Sequence, residues 1–343
     1  MRKILFIGGT GTISAAVTRR MARDPGWEVW LLNRGKRAAA LPEGVKQIVA
    51  DIHDEEDVKA KLAGLSFDAV ADFIAFRVED VERDWRLFAG RTGQYLFTSS
   101  ASAYRKPAGD YLVTEGTTLS NPHWLYSRNK IACEEFLMKK YREEGFPVTV
   151  VRPSLTYDER NIPFAMMGRG GCWTVLKRML DGKPVLVHGD GSSLWQVTFN
   201  EDFARGYAAL PGNPRAVGEA FHITGDEVLT WDQIYKTAAD ALGVRFLPYH
   251  VSSDFLAAAG EKDGMDLEGN LTGDKAVSVV FDNTKIKRLA PDMRTTVPFR
   301  DGVERVLSYL ESHPEAKVVD EAFDRWCDRV IEAQEEAKKS FLV

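Results

Sequence analysis

The first 153 residues alternate short apolar runs with segments of helical periodicity. The runs are continuous, which is typical of strands buried on both faces of a parallel sheet. Repeated strand–helix–strand units predict an α/β protein with a doubly wound parallel sheet, whose ligands bind at the carboxyl ends of the strands. The apolar runs lie at residues 4–7, 29–32, 47–50, 69–73, 95–98 and 148–151, and the helical patterns at 54–62, 78–88 and 126–141.

Directly after the first run stands I-G-G-T-G-T-I-S. Gly8, Gly11 and Ser14 have the spacing G-x-x-G-x-x-S between a predicted strand and a predicted helix. In that context, glycines allow a tight turn and a close approach of the backbone to a pyrophosphate. The N–H groups of Thr12 and Ile13, at the helix N-terminus, would then face the negative charge. The segment predicts a dinucleotide site in a Rossmann-like sheet, with a turn that binds nothing as the alternative.

The second run ends in the basic turn N-R-G-K, at residues 33–36. Dinucleotide-binding sheets usually have an acid here for the ribose hydroxyls. The amide of Asn33 can still bind hydroxyls, and Arg34 can pair with a 2′-phosphate. The cofactor is therefore predicted to be NAD or NADP, and Arg34 slightly favours NADP. A solvated basic turn is the alternative.

After Pro153 the pattern loosens, which predicts a second region. The predicted segments are a loop at 158–171, a helix at 173–180, strands at 184–187 and 220–223, a helix begun by Thr230, a Gly/Asp-rich loop at 260–274, and a C-terminal amphipathic helix. Val319, Phe323, Trp326 and Val330 form the apolar stripe of that helix, which we expect to pack on the body of the protein. We predict a dinucleotide-binding domain at 1–155, a smaller α/β substrate-binding region at 156–315 with segments that return to the core, and the helix at 316–343.

Composition argues against several functions. A net charge of −5 gives no reason to expect nucleic acid or an anionic membrane as a partner. No apolar run approaches the roughly 18 residues of a membrane span. The three cysteines form no C-x-x-C pair and the six histidines no H-x-x-x-H pair, so we predict no metal site and no disulfide framework. We expect a cytoplasmic protein that binds a small-molecule substrate, without nucleic acid or membrane.

Tyr126 and Lys130 form a Y-x-x-x-K pair, which places a phenol and an ammonium on one helix face. A free tyrosine has a pKa of about 10, and lowering it by about 3 for use as a base requires about 4 kcal/mol. A nearby ammonium can supply part of this. Ser100 ends the fifth predicted strand in F-T-S-S-A-S-A-Y. We expect its neighbours Ser99 and Ser102 to cap the turn.

The glycine loop, the serine strand and Y-x-x-x-K, in this order, resemble the extended (or atypical) short-chain dehydrogenases/reductases of the NAD-dependent epimerase/dehydratase family. In that family a tyrosine lies four residues beyond the active serine, and Tyr104 selects Ser100 by this rule. The segments V-V-R-P-S, G-E-A-F-H-I-T-G-D-E-V-L-T-W and F-D-N-T-K-I-K-R-L-A-P are similar to later family elements, so the resemblance covers residues 1–310.

The resemblance implies an enzyme that exchanges hydride between a substrate carbon and nicotinamide. Tyr126 would move the proton, Ser100 would hold the substrate oxygen, and Lys130 would lower the pKa of the tyrosine and bind the nicotinamide ribose. Trp195 joins Ser100 on the substrate side. The implied cofactor-binding residues are Gly8, Gly11, Thr12, Ile13, Asn33, Arg34, Asp51, Ile52, Phe73, Ala75, Tyr126, Lys130, Pro153 and Ser154.

The resemblance also bears on the substrate. Dehydratases of this type carry Asp-Glu after the active hydroxyl residue, whereas this chain has Ala101 and Ser102, so elimination is not expected. Trp195 and Leu271 stand where UDP-sugar epimerases carry arginines for the diphosphate. A UDP-sugar is therefore doubtful unless other cations compensate, the candidates being Arg160, Arg169 and Lys177. Trp195 is predicted either to stack on a sugar or base, or to belong to the core.

Three functions remain open. The first is an epimerase-like oxidoreductase that acts on a secondary alcohol of a nucleoside, sugar or nucleotide sugar, with tightly bound NAD. The second is a net NADPH-dependent carbonyl reductase. The third is an RNA-binding protein of the same fold, because some plastid RNA-binding proteins have a similar G-G-T-x-x-I-S start. The resemblance further predicts a homodimer formed through the helices at 78–88 and 126–141.

Overall fold

The computed structural model describes residues 1–35 and 41–342, so Lys36 of the basic turn lies outside the described residues. The first part of the chain forms β1 (Arg2–Ile7), α1 (Thr12–Ala22), β2 (Trp27–Asn33), β3 (Lys46–Val49), α2 (Glu55–Lys61), β4 (Ala69–Asp72), α3 (Val78–Phe88), β5 (Tyr95–Thr98), a 3₁₀ helix (Ala101–Ala103), β6 (Leu112–Val113), α4 (Leu125–Glu144) and β7 (Val148–Pro153).

The remaining part forms β8 (Leu155–Tyr157), α5 (Trp173–Leu180), β9 (Val185–His188), β10 (Leu194–Trp195), β11 (Val197–Phe199), α6 (Asn200–Tyr207), a 3₁₀ helix (Pro214–Ala216), β12 (Ala220–Ile223), β13 (Leu229–Thr230), α7 (Trp231–Ala241), β14 (Pro248–Val251), α8 (Ser253–Glu261), a π-helix (Glu268–Lys275), β15 (Val280–Phe281), α9 (Thr284–Leu289), α10 (Phe299–Ser312), a 3₁₀ helix (Pro314–Ala316) and α11 (Glu321–Leu342).

The central sheet has seven strands in the order β12-β7-β5-β4-β1-β2-β3, and all its pairings are parallel. Its inner strands are buried along their length because helices cover both faces. The strand order reverses between β1 and β4, which opens a crevice at their carboxyl ends. The predicted doubly wound α/β fold is confirmed.

The second region packs its own core and also contributes to the sheet. The rings of Trp195 and Trp231 belong to this second core, and β12 adds the edge strand beside β7. The division of the chain at residues 155 and 315 stays a prediction. Among the residues that the structure describes, no helix has the length and apolar character to cross a bilayer.

The predicted loop at 260–274 is confirmed only between α8 and the π-helix, because α8 extends to Glu261 and the π-helix occupies Glu268–Lys275. Close packing accounts for the difference. A Cβ at Gly269 would lie 2.1 Å from Trp124 Cδ1, so glycine lets the π-helix lie directly against the segment before α4. The composition that suggested a loop in fact allows helix contact.

The C-terminal helix begins later than predicted. Asp320 Oδ1 accepts hydrogen bonds from the N–H groups of Ala322 (3.1 Å) and Phe323 (3.0 Å), so α11 begins after this cap. Val319 therefore stays outside the helix and is exposed. Phe323, like Trp326 and Val330, is buried in the core of the second region.

Candidate active site

The glycine loop between β1 and α1 has the shape of a ligand cradle. Gly8 and Gly9 have φ values of +104° and +74°. A Cβ on Gly8 would lie 3.0 Å from Ile74 Cγ2, and one on Gly9 would lie 2.5 Å from Leu31 Cδ2, so both positions require glycine. Gly11 is extended instead, and its N–H donates to Ser14 Oγ at 2.9 Å. The prediction omitted Gly9, although the doubled glycine was the signal for it.

A cleft of about 540 Å³ runs from this loop along the ends of β2, β3 and β4. It brings together seven of the predicted cofactor residues, Gly8, Gly11, Asn33, Arg34, Asp51, Ile52 and Phe73. Thr12 and Ile13 begin α1 beside it, where first-turn N–H groups have no acceptor within the helix. The glycine cradle, the helix start and the cleft together fit a dinucleotide.

Ala75, Pro153 and Ser154 do not line this cleft. Ala75 follows β4, Pro153 ends β7, and Ser154 comes directly after it, so all three lie at the carboxyl edge of the sheet. The loop after β4 is fixed by Asp72, whose Oδ1 accepts from the N–H groups of Ile74 (2.5 Å) and Ala75 (2.8 Å). Burial, reinforced by the Asp84 carboxylate, raises the pKa of Asp72 well above its ordinary value. The prediction omitted Asp72.

The amide of Asn33 is oriented by the protein. Its Oδ1 accepts from the Gly35 N–H and from Gln47 Nε2, both at 2.8 Å. The described residues offer no acceptor to its NH₂ group, which can therefore donate to a ribose hydroxyl. Arg34 is exposed beside it. No carboxylate ends this strand, so nothing at that position repels a 2′-phosphate.

The predicted proton-transfer pair lies at the start of α4. Tyr126 is in the first turn, and Lys130 follows one turn later. Lys130 Nζ donates to the carbonyl oxygens of Ala75 and Thr98, both at 2.7 Å, and lies 5.8 Å from the centre of the Tyr126 ring. Burial lowers the pKa of Lys130 to about 8. These bonds hold the ammonium at the ends of β4 and β5.

The serine turn differs from the expectation. Ser100 Oγ accepts the Ser102 N–H (3.2 Å), so Ser100 itself caps the turn. Ser102 Oγ lies 2.9 Å from Ser100 Oγ and accepts a hydrogen bond from Ser127 Oγ at 2.7 Å. Ser99 instead donates to Glu134, at 2.5 Å. The hydroxyl groups of Ser127, Ser102 and Ser100 form a hydrogen-bonded chain that orients Ser100.

Ser100 lies close enough to Tyr126 to lower the pKa of the phenol, which completes the predicted group of three. Burial raises the pKa of Tyr126, the Ser100 hydroxyl lowers it, and the Asp274 carboxylate raises it, with a net rise. The phenol is therefore protonated at neutral pH. The structure brings Ser100, Tyr126 and Lys130 to one edge of the sheet, while their catalytic roles stay a prediction.

A buried ion pair supports this edge from behind. Arg152 donates to Glu134 through Nε (2.9 Å) and Nη2 (2.5 Å), and through Nη1 to Tyr104 Oη (3.1 Å). Tyr104 Oη also lies 3.0 Å from His222 Nδ1. Because Glu134 is on α4 and Arg152 on β7, the pair fixes the helix that carries Tyr126 to the sheet.

The substrate side contains a second set of buried polar groups. Trp195 is fully buried, with its ring 5.7 Å from that of Trp231. Lys106 Nζ lies 5.0 Å from the centre of the Trp195 ring and 3.1 Å from Asp274 Oδ1. Lys275 Nζ lies 3.6 Å from Asp274 Oδ2. Of the two predicted roles for Trp195, the structure places it in the core. In the part of the chain that the structure describes, no cluster of three or more His, Cys, Asp or Glu side chains could hold a metal ion.

The model of the NAD dependent epimerase/dehydratase family matches residues 4–224. The chain belongs to this family. A curated relative, the 2′-dehydrokanamycin reductase of Streptomyces kanamyceticus, is 28% identical over 306 residues, which cover 89% of this chain and 82% of the relative. The chloroplast stem-loop binding protein of 41 kDa b of Arabidopsis thaliana is 29% identical over 255 residues, covering 71% of this chain and 64% of that protein.

A solved structure, the UDP-glucuronic acid 4-epimerase of Bacillus cereus in complex with NAD, has the same fold. Its TM-score is 0.71 at 18% identity, with 90% of this chain and 99% of the other covered. Family membership makes the chain an enzyme of an NAD-dependent family, and the glycine cradle described above fits that cofactor.

Two of the compensating cations proposed for a UDP-sugar are engaged elsewhere. Arg160 pairs with Asp158, and its Nη2 lies 3.2 Å from Thr12 Oγ1, beside the glycine loop. Lys177 pairs with Asp181 on the surface, and Arg169 is exposed. The cation near Trp195 is instead Lys106, and the cation near Trp124 is Lys275. The prediction missed both, although Lys275 lies four residues after Leu271, which the sequence analysis had singled out.

Proposed function

We propose that the chain is an NAD(P)-dependent oxidoreductase that acts on a secondary alcohol, or the corresponding ketone, of a nucleoside, sugar or nucleotide sugar. The observation that carries this proposal is the meeting of Ser100, Tyr126 and Lys130 beside the glycine cradle. When bound, the cofactor supplies the hydride donor or acceptor at its nicotinamide ring.

The protein's own groups would handle the proton and the oxygen. In the reductive direction, the protonated Tyr126 Oη donates its proton to the substrate oxygen, and Ser100 Oγ donates a hydrogen bond to that oxygen. In the oxidative direction, Tyr126 reacts as the phenolate, accepts the carbinol proton and becomes the phenol. The Lys130 ammonium favours the phenolate through its charge. Two N–H groups of the Lys130 ammonium donate to backbone carbonyl groups, and the third would bind the nicotinamide ribose.

We place an epimerase-like reaction first, with oxidation and re-reduction at one carbon and a retained cofactor. Net NADPH-dependent carbonyl reduction is the second candidate. Two observations favour net reduction. Asn33 and Arg34 stand where an acid would select against a 2′-phosphate, and the reductase of Streptomyces kanamyceticus matches 89% of this chain. Net consumption of NADPH would select the second candidate, and isomerisation without net redox the first.

We also propose a cytoplasmic homodimer formed through α3 and α4. These helices pack on each other, with the half-buried rings of Trp85 and Phe136 6.5 Å apart, which gives them a partly apolar outer surface. Cys133, Cys172 and Cys327 are buried free thiols, in keeping with a reducing compartment. A monomeric mass by light scattering would contradict the dimer.

The replacement Tyr126→Phe tests the catalytic assignment. It removes the phenolic proton and keeps the ring, so kcat should fall by about 10²–10⁴-fold while cofactor affinity stays unchanged. The measurement uses a panel of sugars, keto-sugars and nucleotide sugars, with NAD(P)H absorbance for net redox and NMR for isomerisation. Tyr111→Phe, at an exposed tyrosine, is the matched control and should leave kcat unchanged.

Two results would contradict the proposal. One is a Tyr126→Phe variant that keeps more than a tenth of the wild-type kcat. The other is salt-sensitive RNA binding that survives Tyr126→Phe in a protein without turnover, which would favour the RNA-binding alternative.

A further inference from the structure

A compact charged cluster lies beyond the catalytic group of three. It consists of Lys106, Asp274 and Lys275, whose side chains are only 1%, 12% and 8% exposed. Lys106 is within hydrogen-bonding distance of Asp274, whereas Lys275 is farther away, at 3.6 Å. Two ammonium groups share one carboxylate, so the cluster carries one positive charge in excess when both lysines are protonated.

The cluster is adjacent to the proposed reaction centre. Asn121 Nδ2 donates to the carbonyl oxygens of Ser102 (2.8 Å) and Gly273 (2.7 Å), which joins the serine turn to the residue before Asp274. Lys275 Nζ lies 5.8 Å from the centre of the Trp124 ring, and that ring lies 5.0 Å from the ring of Tyr126. One aromatic side chain therefore separates Lys275 from the phenol.

The hydrogen-bond partners of the cluster are incomplete. Lys106 Nζ has three N–H donors, and Asp274 Oδ1 is the acceptor that the described residues give it. Trp195 Nε1 is buried and has no partner among the described residues. Unpaired buried donors are costly unless a ligand satisfies them. Lys275 Nζ donates one hydrogen bond to Asn270 Oδ1, which leaves two N–H groups for a ligand. Burial lowers the pKa of Lys275, and the Asp274 carboxylate opposes this shift.

We propose that Lys275, supported by Lys106, is a subsite for an oxyanion of the substrate, either a carboxylate or a phosphoryl group. The substrate would then be an acidic sugar derivative, since the ammonium groups of an aminated sugar would meet the excess positive charge. The inference rests on the proposed function, because that function places the substrate beside Tyr126. Asp274, the most exposed member, would attract both ammonium groups and so limit the affinity for the anion.

Anion titration of the cofactor-loaded protein tests the subsite. Inorganic phosphate and acetate are added at ionic strength kept constant with chloride, and the indole N–H signals of Trp124 and Trp195 are followed by NMR. We expect a saturable shift, and the tighter anion identifies the phosphoryl or carboxylate source. The replacement Lys275→Met should weaken binding at least tenfold, and Lys275→Arg should restore it. Lys177→Met, at a surface lysine, is the matched control.

A second variant should change the anion affinity in the opposite direction. The replacement Asp274→Asn removes the competing carboxylate, so anion binding should tighten several-fold, an effect that a purely structural role would not produce. Indole signals that respond to neither anion, or equal affinities for wild type, Lys275→Met and Asp274→Asn, would overturn the proposal. Tyr126→Phe should leave the titration unchanged, so the subsite and the proposed catalysis can fail independently.

Discussion

The cofactor side and the substrate side of this site are built by different means. On the cofactor side, the shape comes from residues close in sequence, as in the bond between Gly11 and Ser14. On the substrate side, bonds join residues far apart, 168 positions between Lys106 and Asp274 and 152 between Asn121 and Gly273. The comparison teaches that backbone conformation builds the first side, whereas long-range pairing of buried polar groups builds the second.

The largest expected effect tests whether the sheet also depends on buried charge. Glu134→Ala would leave Arg152 buried without its carboxylate, so we expect a loss of about 3–5 kcal/mol in the free energy of unfolding. Urea denaturation of the cofactor-free protein measures it. Lys177→Ala, which breaks the exposed pair with Asp181, is the control and should cost under about 1 kcal/mol. A similar loss of unfolding free energy in both variants would contradict the prediction that the buried pair stabilises the protein more than the exposed pair does.

The next prediction concerns the cofactor side. Gly8→Ala introduces a Cβ at a φ of +104°, 3.0 Å from Ile74 Cγ2, at a cost of about 1–3 kcal/mol. Because Gly8 lines the cleft, NAD(P) affinity should fall about tenfold or more, measured by fluorescence titration. Gly64→Ala has the same kind of strain at a φ of +75° but no atom within 4 Å, so stability alone should change. Unchanged affinity in Gly8→Ala would contradict the cradle.

The smallest effect lies where the two sides meet. Ser102→Ala removes a hydrogen-bond partner of Ser100 Oγ, so kcat should fall about fivefold, close to the roughly 1 kcal/mol of one such bond, with KM nearly unchanged. Steady-state kinetics measure it. Ser127→Ala, one hydroxyl farther along the chain, should have a smaller effect. A larger change in KM than in kcat would indicate a structural role for Ser102 instead.

Much of the fold and of the cofactor side follows from the sequence. The strands at β1, β2, β4, β5 and β7 are marked by apolar runs, and α3 and α5 begin and end where the periodicity predicts. Gly8 and Gly11 could be identified because a turn between strand and helix restricts the backbone locally. Asp72 escaped notice, since a carboxyl that binds loop N–H groups has no spacing that distinguishes it.

The substrate side could not be predicted in the same way. The segment before Lys275 is rich in glycine and aspartate, which indicates a loop, yet packing against Trp124 makes it a π-helix. The roles of the serines were also reassigned, because the hydroxyl that caps the turn depends on which side chains α4 brings near it. Contacts of this kind depend on where distant elements meet.

The sequence by itself determined the parallel sheet, the glycine cradle and the Tyr126–Lys130 spacing, because periodicity and local backbone geometry are properties of neighbouring residues. Only the tertiary structure decided that Trp195 is a core residue and that Lys106, Asp274 and Lys275 share one buried site. The physical reason is that desolvation and charge pairing depend on distance in space, and the folded chain alone sets the distance between residues more than a hundred positions apart.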